Sequence, residues 1–564
     1  MPDSYFGIDL GTTYSVISYV DEFGKPAVVR NASSGRETLP SVVYFESAGN
    51  VVVGEQAKNL AVVYPDRVVQ RVKRDMGRER NWEFDGTEYT PESISALVLK
   101  RLAEDAAAET GREVRDVVIT VPAYFGMLER EATRQAGRIA GLNVIGIVPE
   151  PVAAAMQYDV TTSHDGVASS FPPRAGTDTE RTILVFDLGG GTFDTTVIRV
   201  APDRIDVLCT DGDQELGGVD WDDRLRDHLL DEFVARTQPA EDPTDDPQFM
   251  QDLREKVEDL KRQLSTVTTR SLPLRFGAAT AAVEITRERF EEITRDLLDR
   301  TLSYTDRTLE KLGRKLGVPD PAGHIDEVLL VGGSSRMPAV SAALQQRYGW
   351  KPRLHDPDLA VAKGAARFAL TSAVWDWEGA GEQTRDQRVD AIAEAAGMDP
   401  RVLSELAKKE IVTVLPKAFG IRLVDTDRPN WRTDLAGASY VKHLVHADET
   451  LPSRAGFISG TVQEDQREVE IEIYEQAGGA ESPELADNKP VDHGRGLISG
   501  LPPHLPFQSP IEITMSVNRE GLLRVEAKEP RSGRDLVIEV RVSVLSEDEI
   551  RRATDAVRGI AVRS

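Results

Sequence analysis

The stretch VFDLGGGTFDTTVI at residues 185–198 places three consecutive glycines between two aspartates, directly after an apolar run. Residues 7–15, GIDLGTTYS, repeat the order of an apolar strand, Asp-Leu-Gly and then hydroxyl side chains. Glycine lacks a Cβ atom and lets backbone N–H groups approach a ligand closely, and a concave set of such amides binds an anion, usually phosphate. Two copies separated by a domain's length predict two related halves that share one phosphate-binding site.

Three aspartates accompany these loops, namely Asp9, Asp187 and Asp194. Beside a phosphate chain their charges would repel the ligand unless a cation lay between them. Mg²⁺ prefers oxygen ligands and commonly keeps several waters between itself and carboxylates. The sequence therefore predicts a nucleotide held with magnesium between two half-domains.

Composition narrows the class of protein. The chain has 564 residues, 40% apolar and 29% charged, which is typical of a folded protein of several domains. Its net charge of −26 argues against nucleic acid as the main partner, because phosphate backbones are bound by basic surfaces. No apolar run approaches membrane-spanning length, and the N-terminus MPDSYFGIDL has no signal-peptide pattern. Cys209 is the single cysteine, so no internal disulfide can form, which suits a reducing cytoplasm. Together, these features predict a cytoplasmic protein that binds neither nucleic acid nor membranes.

The pattern of secondary structure changes along the chain. Residues 1–375 alternate apolar strands with amphipathic helices, which predicts an α/β domain. Residues 376–410 are charged and predict two short helices in a connector. Residues 411–545 contain strands with a period of two, such as EVEIEIYE, and predict an all-β sandwich. Residues 546–564 predict only a short helical tail.

Three separated segments, IDLGTTYS, VFDLGGGTFDTTVI and VLLVGGSSRMPAV, resemble the signatures of the heat-shock protein 70 (DnaK-type) chaperone family. VPAYF, GRIAGL, LGGVDWD, ADNK and GLLRVEAKEPRSG follow in the family's order, so the resemblance covers nearly the whole chain. It implies an actin-like ATPase domain with two lobes around a cleft, which binds ATP or ADP with Mg²⁺. It also implies a β-sandwich domain that binds extended peptides.

The resemblance implies catalytic roles for Lys73, Glu150, Asp187 and Thr192. Lys73 would face the γ-phosphate, where its compact charge can stabilise the transferring phosphoryl group. Glu150 would lie near the attacking water, which Asp187 or Asp194 would help to orient. The water-mediated magnesium site implied by the family consists of Asp9, Asp187 and Asp194.

The segment VEDLKRQLS places Glu258, Lys261, Arg262 and Ser265 on one helix face. One interpretation is a solvated face of salt bridges. The resemblance instead implies that this face holds adenine and ribose, with the guanidinium of Arg262 stacked on the base. The nucleotide-binding residues implied by the family are Gly11, Thr12, Thr13, Gly189, Gly190, Gly191, Glu258, Lys261, Arg262, Ser265, Gly332, Gly333, Ser334, Arg336 and Asp358.

Communication between the domains depends on positions where the chain both matches and departs from the family. Pro122 and Arg130 match a proline and an arginine that relay the nucleotide state. In the linker KEIVTVLP, this chain has Thr413 where the family has an acidic residue. It also has Gly126 and Met127 in place of a polar pair, and Leu359 in place of a glutamate. These departures leave the phosphate chemistry intact and bear on interdomain coupling and on docking of a J-domain co-chaperone.

Two functions from different classes follow. The first is an ATP-hydrolysing chaperone that binds and releases extended apolar segments of unfolded or partner proteins, served by a J-domain co-chaperone and a nucleotide-exchange factor. The second is a nucleotide-gated scaffold with one dedicated partner and little turnover. A sugar or acetate kinase is a third interpretation, which the β module disfavours. Lys73, Glu150 and Thr192 favour hydrolysis, whereas the altered linker favours the scaffold.

The peptide groove and the tail carry two further expectations. The groove would involve Phe419, Ile421, Val424, Val469 and Ile471, with ordinary sandwich core as the alternative for each. In LSEDEIRRATDAVRGIAVRS, Ser546 and Glu549 predict a capping box. The resulting helix, in place of the family's lid, could pack against the sandwich but is too short to cross it, so we expect fast peptide release.

Overall fold

The computed structural model describes residues 5–164, 180–375, 384–519, 521–531, 533–540 and 545–563. None of the helices within these residues combines the length and apolar composition that crossing a bilayer requires. The α/β pattern expected for residues 1–375 is present, followed by a segment that consists mainly of strands.

The first lobe, here called lobe I, contains a mixed sheet in the order β11-β10-β1-β2-β3, a second sheet β6-β5-β7 and the hairpin β8-β9. Its strands are β1 (Tyr5–Asp9), β2 (Tyr14–Val20), β3 (Pro26–Val28), β4 (Leu39–Pro40), β5 (Val42–Ser47), β6 (Asn50–Val53), β7 (Val68–Gln70), β8 (Trp82–Phe84), β9 (Thr87–Tyr89), β10 (Asp116–Val121) and β11 (Asn143–Pro149). Its helices are α1 (Glu55–Leu60), α2 (Pro91–Thr110) and α3 (Met127–Ile139), and α4 (Glu150–His164) follows.

The second lobe, lobe II, contains a sheet in the order β18-β17-β12-β13-β14 and the hairpin β15-β16. Its strands are β12 (Arg181–Leu188), β13 (Phe193–Val200), β14 (Arg204–Asp213), β15 (Thr269–Phe276), β16 (Ala279–Thr286), β17 (Glu327–Val331) and β18 (Arg353–Leu354). Its helices are α5 (Gly218–Thr237), α6 (Pro247–Leu264), α7 (Arg287–Ile293), α8 (Arg295–Leu316) and α9 (Pro338–Tyr348), and α10 (Ala360–Val374) follows.

The main sheets of the two lobes share one topology. In lobe I, β1 pairs antiparallel with β2 and parallel with β10, which pairs parallel with β11. In lobe II, β12 pairs antiparallel with β13 and parallel with β17, which pairs parallel with β18. The two glycine loops therefore occupy the same place in both sheets, at the turn after the first strand.

Helices α4 and α10 pack against each other and lie between the two sheets. Val152 of α4 and Val361 of α10 belong to a core that also contains Val118 of lobe I and Val185 of lobe II. This shared apolar core joins the lobes below the loops. The cleft above it is the space that the two loops face.

The connector and the sandwich follow. The connector contains α11 (Arg385–Ala396) and α12 (Pro400–Leu406), as expected, while residues 376–383 lie outside the described part. The strand β19 (Glu410–Val412) comes next. Two four-stranded sheets, β21-β20-β23-β24 and β22-β25-β26-β27, form the sandwich from β20 (Phe419–Val424), β21 (Ser439–Val445), β22 (Ser453–Gly460), β23 (Glu468–Gln476), β24 (Asn488–Ser499), β25 (Pro510–Val517), β26 (Leu523–Glu529) and β27 (Arg534–Val540).

The ends of the range predicted for the sandwich lie elsewhere in the fold. Ile411 belongs to β19, which pairs parallel with β14 at the edge of the lobe II sheet. Leu545 is buried in the core of lobe I. Alternating apolar residues predict a strand but not the sheet that it joins, since any free sheet edge accepts a strand.

The C-terminal segment also departs from expectation. The capping box of Ser546 and Glu549 begins α13 (Glu547–Gly559), which is followed by β28 (Ala561–Arg563). The expected helix forms, but it packs against α2 and α3 of lobe I instead of the sandwich. The amphipathic helix buries Ile550 and Val557 there, because lobe I offers an apolar surface that completes its core.

Candidate nucleotide-binding site

The two glycine loops touch across the cleft. A Cβ atom at Gly190 would lie 2.4 Å from Thr13 Oγ1, and one at Gly191 would lie 2.4 Å from Thr12 Oγ1. Only glycine fits at these two positions, because the facing threonines occupy the space of any side chain. Gly189 N–H donates to Thr192 O at 3.0 Å and closes the loop of lobe II.

A cavity of about 620 Å³ opens beside these loops. Of the predicted site residues, it is lined by Asp9, Gly11, Thr12, Thr13, Lys73, Glu150, Asp187, Gly189, Gly190, Thr192, Glu258, Lys261, Arg262, Ser265, Gly332, Gly333, Ser334, Arg336 and Asp358. Gly191 and Asp194 are not among the residues that line it. The cavity is within the range of volumes that hold a ligand of nucleotide size.

Buried carboxylates surround one cation at the inner end of the cavity. Lys73 Nζ donates to Glu150 Oε1 at 2.6 Å, and both residues are buried. Asp187 and Asp194 are cross-strand partners in the β12–β13 hairpin. Asp9 accepts a hydrogen bond from Thr120 Oγ1 at 3.0 Å. Four carboxylates against one ammonium leave an excess of negative charge in a buried place.

This excess of negative charge is reflected in the raised pKa values of the three aspartates. Burial, followed by the charge of Glu150, raises the pKa of Asp9 and of Asp194 to about 7. The same two causes, with Asp194 and Asp9 themselves, raise the pKa of Asp187 well above its ordinary value. Ionised carboxylates here are costly unless further positive charge is present.

These residues fit a water-mediated Mg²⁺ site. Asp194 Oδ1 accepts the N–H of Tyr124 at 2.9 Å, whereas its buried Oδ2 has no partner within the described residues. No three acidic, histidine or cysteine side chains in the described part of the chain are grouped closely enough to ligate a metal directly. Asp9, Asp187 and Asp194 would hold the ion through its waters in the arrangement that the family implies, a mode that Mg²⁺ favours.

The predicted adenine face of α6 takes part in ion pairs. Lys261 Nζ lies 2.8 Å from Asp222 Oδ1 and donates to Gly218 O at 2.9 Å. Arg262 Nη2 donates to Glu258 Oε1 at 2.6 Å, and its guanidinium lies 5.2 Å from the centre of the Tyr14 ring. The face thus carries the salt bridges of the first interpretation, and the guanidinium of Arg262 lies over the Tyr14 ring at the cavity.

On the opposite wall, Gly332 lies at the end of β17 with φ of 80°, and a short 3₁₀ turn, Gly333–Arg336, follows it. Arg336 Nη2 donates to Asp358 Oδ2 at 2.5 Å, with both side chains about half exposed. Ser334 is buried in the same turn. This wall and the α6 face enclose the cavity from two sides.

The chain is similar to known proteins over most of its length. The family model described as Hsp70 protein matches residues 5–84, 80–375 and 413–561. The chain belongs to the Hsp70 family. A relative, Chaperone protein DnaK from Thermotoga petrophila, is 35% identical over 556 residues, which cover 97% of this chain and 82% of that protein. The resemblance is confirmed: this Hsp70 is an ATPase of the DnaK type that uses ATP and ADP with Mg²⁺, and an ATP-dependent chaperone.

The sequence did not point to a bridge across the mouth of the Hsp70 cleft. Lys58 Nζ on α1 of lobe I lies 2.6 Å from Glu258 Oε2 and 3.3 Å from Glu255 Oε2 on α6 of lobe II. The hydroxyl of Tyr14 accepts hydrogen bonds from Lys58 and Arg262. Burial lowers the pKa of Lys58, but the interactions with Glu258, Tyr14 and Glu255 together outweigh it, so the pKa lies above its ordinary value. Lys58 lies in no glycine loop, so only spatial proximity reveals it.

A second bridge that the sequence did not predict joins the lobes beside the glycine loop of lobe II. Arg74 Nη2 lies 2.6 Å from Asp220 Oδ2, and Arg74 Nε donates to Gly191 O at 3.0 Å. Arg74 follows Lys73 in the same short turn of lobe I, whereas Asp220 lies in the first turn of α5 of lobe II. The turn that holds Lys73 is therefore attached to the opposite phosphate loop.

The sandwich of this Hsp70 contacts lobe II through its Asp448 turn. Asp448 Oδ1 accepts the N–H of Thr210 at 3.1 Å, and Asp448 Oδ2 lies 3.5 Å from Lys311 Nζ. Lys315 Nζ donates to Asp448 O at 3.0 Å. These contacts place the turn on β14 and α8, two elements of the ATPase domain.

The departures at Gly126 and Met127 lie where the sandwich contacts lobe I. Met127 N–H donates to Glu475 Oε1 at 3.2 Å, and a Cβ atom at Gly126 would lie 2.8 Å from that oxygen. Arg130 donates to Phe125 O and Ala123 O beside this contact. A side chain at 126 would therefore require the carboxylates of Glu475 and Glu129 to shift.

Proposed function

We propose that this chaperone binds extended apolar segments of unfolded or partner polypeptides in its sandwich, and that ATP hydrolysis in the cleft controls their release. The observation that best supports the proposal is the position of the linker. Its strand β19 continues the lobe II sheet, and the next residues, through Val414 and Leu415, bond to the sandwich loop at 449–450. One short segment thus connects the sheet that carries the phosphate loop with the peptide-binding module.

For the hydrolysis step we assign roles to the chain's own side chains. The backbone amides of the glycine loops and the hydroxyls of Thr12, Thr13 and Thr192 would bind the phosphates. Lys73 would stabilise charge on the transferring phosphoryl group, because its ammonium is buried and held in place. Glu150, whose Oε1 accepts from Lys73, would accept a hydrogen bond from the attacking water through its other oxygen.

Mg²⁺, when bound, supplies charge neutralisation of the β- and γ-phosphate oxygens. The wall formed by Gly332, Gly333, Ser334, Arg336 and Asp358 would face the α6 residues across the base and the sugar. Arg262 would exchange its stacking partner from Tyr14 to adenine, which a planar guanidinium accommodates readily.

The burial of the side chains reduces the set of five residues predicted for the peptide groove. Phe419, Ile421 and Ile471 are buried in the sandwich core, as the alternative interpretation held. Val424 and Val469 are half-buried on the neighbouring strands β20 and β23. Val469 packs against the sandwich core, as Leu423 does, so it lies on the face of the sheet opposite to that of Val424, because side chains alternate along a strand. We propose Val469 as the groove's apolar contact, with main-chain pairing supplying the remaining affinity.

The test is the affinity of a labelled apolar peptide, measured by fluorescence anisotropy with ATP and with ADP. We expect the peptide to bind more tightly with ADP than with ATP. The Val469→Asp variant should bind the peptide more weakly than the wild type with either nucleotide, whereas the nearby exposed Glu468→Gln variant should bind it like the wild type. Equal affinities with both nucleotides would contradict nucleotide control. Unchanged peptide affinity in Val469→Asp would show that Val469 does not line the groove.

The expected partners extend this proposal. A nucleotide-exchange factor would act by separating Lys58 from Glu255 and Glu258, since this bridge closes the cleft mouth. A J-domain co-chaperone would act near the linker, where Thr413 replaces the family's acidic residue. A cytoplasmic location belongs to the same proposal and is consistent with the single buried Cys209.

A further inference from the structure

The C-terminal segment 545–563, here called the tail, leaves the sandwich and becomes part of lobe I. Leu545, Ile550, Val557 and Ile560 are 7%, 6%, 1% and 5% exposed, and all four belong to the lobe I core. Strand β28 pairs parallel with β6 in the register Ala561↔Asn50, Val562↔Val51 and Arg563↔Val52. The tail thus supplies apolar side chains to the core of lobe I and a fourth strand to its β6-β5-β7 sheet.

Polar contacts hold the same segment. Lys100 Nζ on α2 donates to Val557 O at 3.0 Å and to Ile560 O at 2.7 Å. Val557 lies in the last turn of α13, where its carbonyl also accepts the N–H of Ile560 at 3.2 Å, and Ile560 directly follows the helix. At its other end, Leu545 N–H donates to Gln135 Oε1 at 3.2 Å. Both ends of the tail are therefore fixed to lobe I, one to α2 and one to α3.

The connection from the sandwich to the tail is short. Only residues 541–544 separate Val540, the last residue of β27, from Leu545. Fully extended chain spans at most about 3.6 Å per residue, so this end of the sandwich stays within about 18 Å of lobe I. At the other end, β19 is an edge strand of the lobe II sheet. The sandwich is thus attached to both lobes by strand addition.

We propose that the tail keeps the sandwich attached to lobe I with ATP, with ADP and without nucleotide. The elements that the tail contacts, α2, α3 and β6, contribute no residue to the lining of the nucleotide cavity. Hydrolysis could therefore act on the tail only indirectly, through the turn of Lys73 that packs on α2 and through Arg130 of α3. Release would instead require exposing four buried apolar side chains and separating a paired strand.

A disulfide across β28 and β6 tests the attachment directly. Neighbouring strands lie about 4.8 Å apart, within the Cα separation that a disulfide tolerates. We would replace Asn50 and Ala561, which face each other in the register, by cysteine. The natural Cys209 is buried and does not compete. The Asn50→Cys single variant is the control for background oxidation.

The rate of disulfide formation is measured with ADP, with a non-hydrolysable ATP analogue and without nucleotide. We expect the three rates to agree within about two-fold, because a strand that stays paired presents the same geometry. A rate with ADP that is lower by about ten-fold or more would show that hydrolysis releases the tail, and would overturn the proposal.

A second measurement uses the size of the intact protein in solution. In Ile550→Asp/Val557→Asp, both charges fall on the buried face of α13, whereas the matched control Arg551→Asp/Arg558→Asp alters its exposed face. We expect a larger radius of gyration by X-ray scattering for the first variant with ADP, and a wild-type value for the control. A first variant as compact as the wild type would show that the tail does not hold the sandwich. Neither measurement depends on peptide binding.

Discussion

Lys73 Nζ lies 2.6 Å from Glu150 Oε1, and both side chains are buried where the two lobes meet. Burial lowers the pKa of Lys73, but the charges of Glu150 and Asp9 outweigh it, so the pKa lies above its ordinary value. The ammonium is therefore charged at neutral pH. A fixed, dry cation beside the phosphate loops is suited to stabilising a transition state.

Lys73→Ala tests this role. We expect kcat for ATP hydrolysis to fall by about 100-fold or more while the Kd for ATP changes far less, because the charge acts mainly on the transition state. Single-turnover hydrolysis and calorimetry measure the two quantities. Thermal unfolding is the control, since Glu150 loses its buried partner. Hydrolysis at the wild-type rate would remove Lys73 from the mechanism.

Thr192→Ala should retain nucleotide and slow turnover, because the backbone amides of its loop persist without the hydroxyl. The matched control is Thr192→Ser, which keeps the hydroxyl and should recover most of the rate. Calorimetry that finds no ATP binding by Thr192→Ala would mean that this hydroxyl is part of the ground-state contacts instead.

Lys58→Ala should accelerate release of ADP. The variant removes the pair to Glu255 and Glu258, and a partly buried bridge of this kind corresponds to a change of about five-fold in rate. Stopped-flow fluorescence of a labelled ADP measures it. Lys256→Ala on the same helix α6 is the control, because Lys256 pairs with Asp252 within lobe II. Equal release rates in the two variants would show that the bridge does not limit opening.

Thr413→Asp addresses coupling between the domains. Thr413 O accepts the N–H of Leu451, and the residue lines a space of about 550 Å³ between the sandwich and the ATPase domain. With threonine here, we expect peptide to stimulate hydrolysis weakly, and Thr413→Asp to raise the stimulation by about five-fold or more. Thr413→Asn has nearly the shape of Thr413→Asp without its charge, so it separates the effect of the negative charge from the effect of side-chain shape. Strong stimulation of the wild type would show that coupling runs through other residues.

The phosphate loops could be predicted from the sequence because their chemistry is local. Gly190 and Gly191 make close approaches that exclude any side chain, and Asp187 and Asp194 are separated by one hairpin turn. The strand pattern likewise predicts the α/β domain and the sandwich, since periodicity reflects which face of each element is buried. The Hsp70 signatures then carried the identity of the family.

Contacts between distant segments could not be predicted in this way. The bridge from Lys58 to Glu258 joins residues 200 positions apart, and neither side chain belongs to a local pattern that names its partner. Phe419, Ile421 and Ile471 have the same apolar character whether they face a peptide or the sandwich core. Their burial is decided by packing of the second sheet over the first.

The tail shows most clearly which features follow from the local sequence and which depend on the tertiary structure. Its sequence by itself determined a capped amphipathic helix, because Ser546, Glu549 and the apolar spacing act within a few residues. Only the tertiary structure decided that this helix packs on lobe I and that Val562 pairs beside Val51. The reason is physical: an apolar face and a free strand edge specify the kind of surface that they bind, and the folded arrangement of the other segments decides which such surface lies within reach.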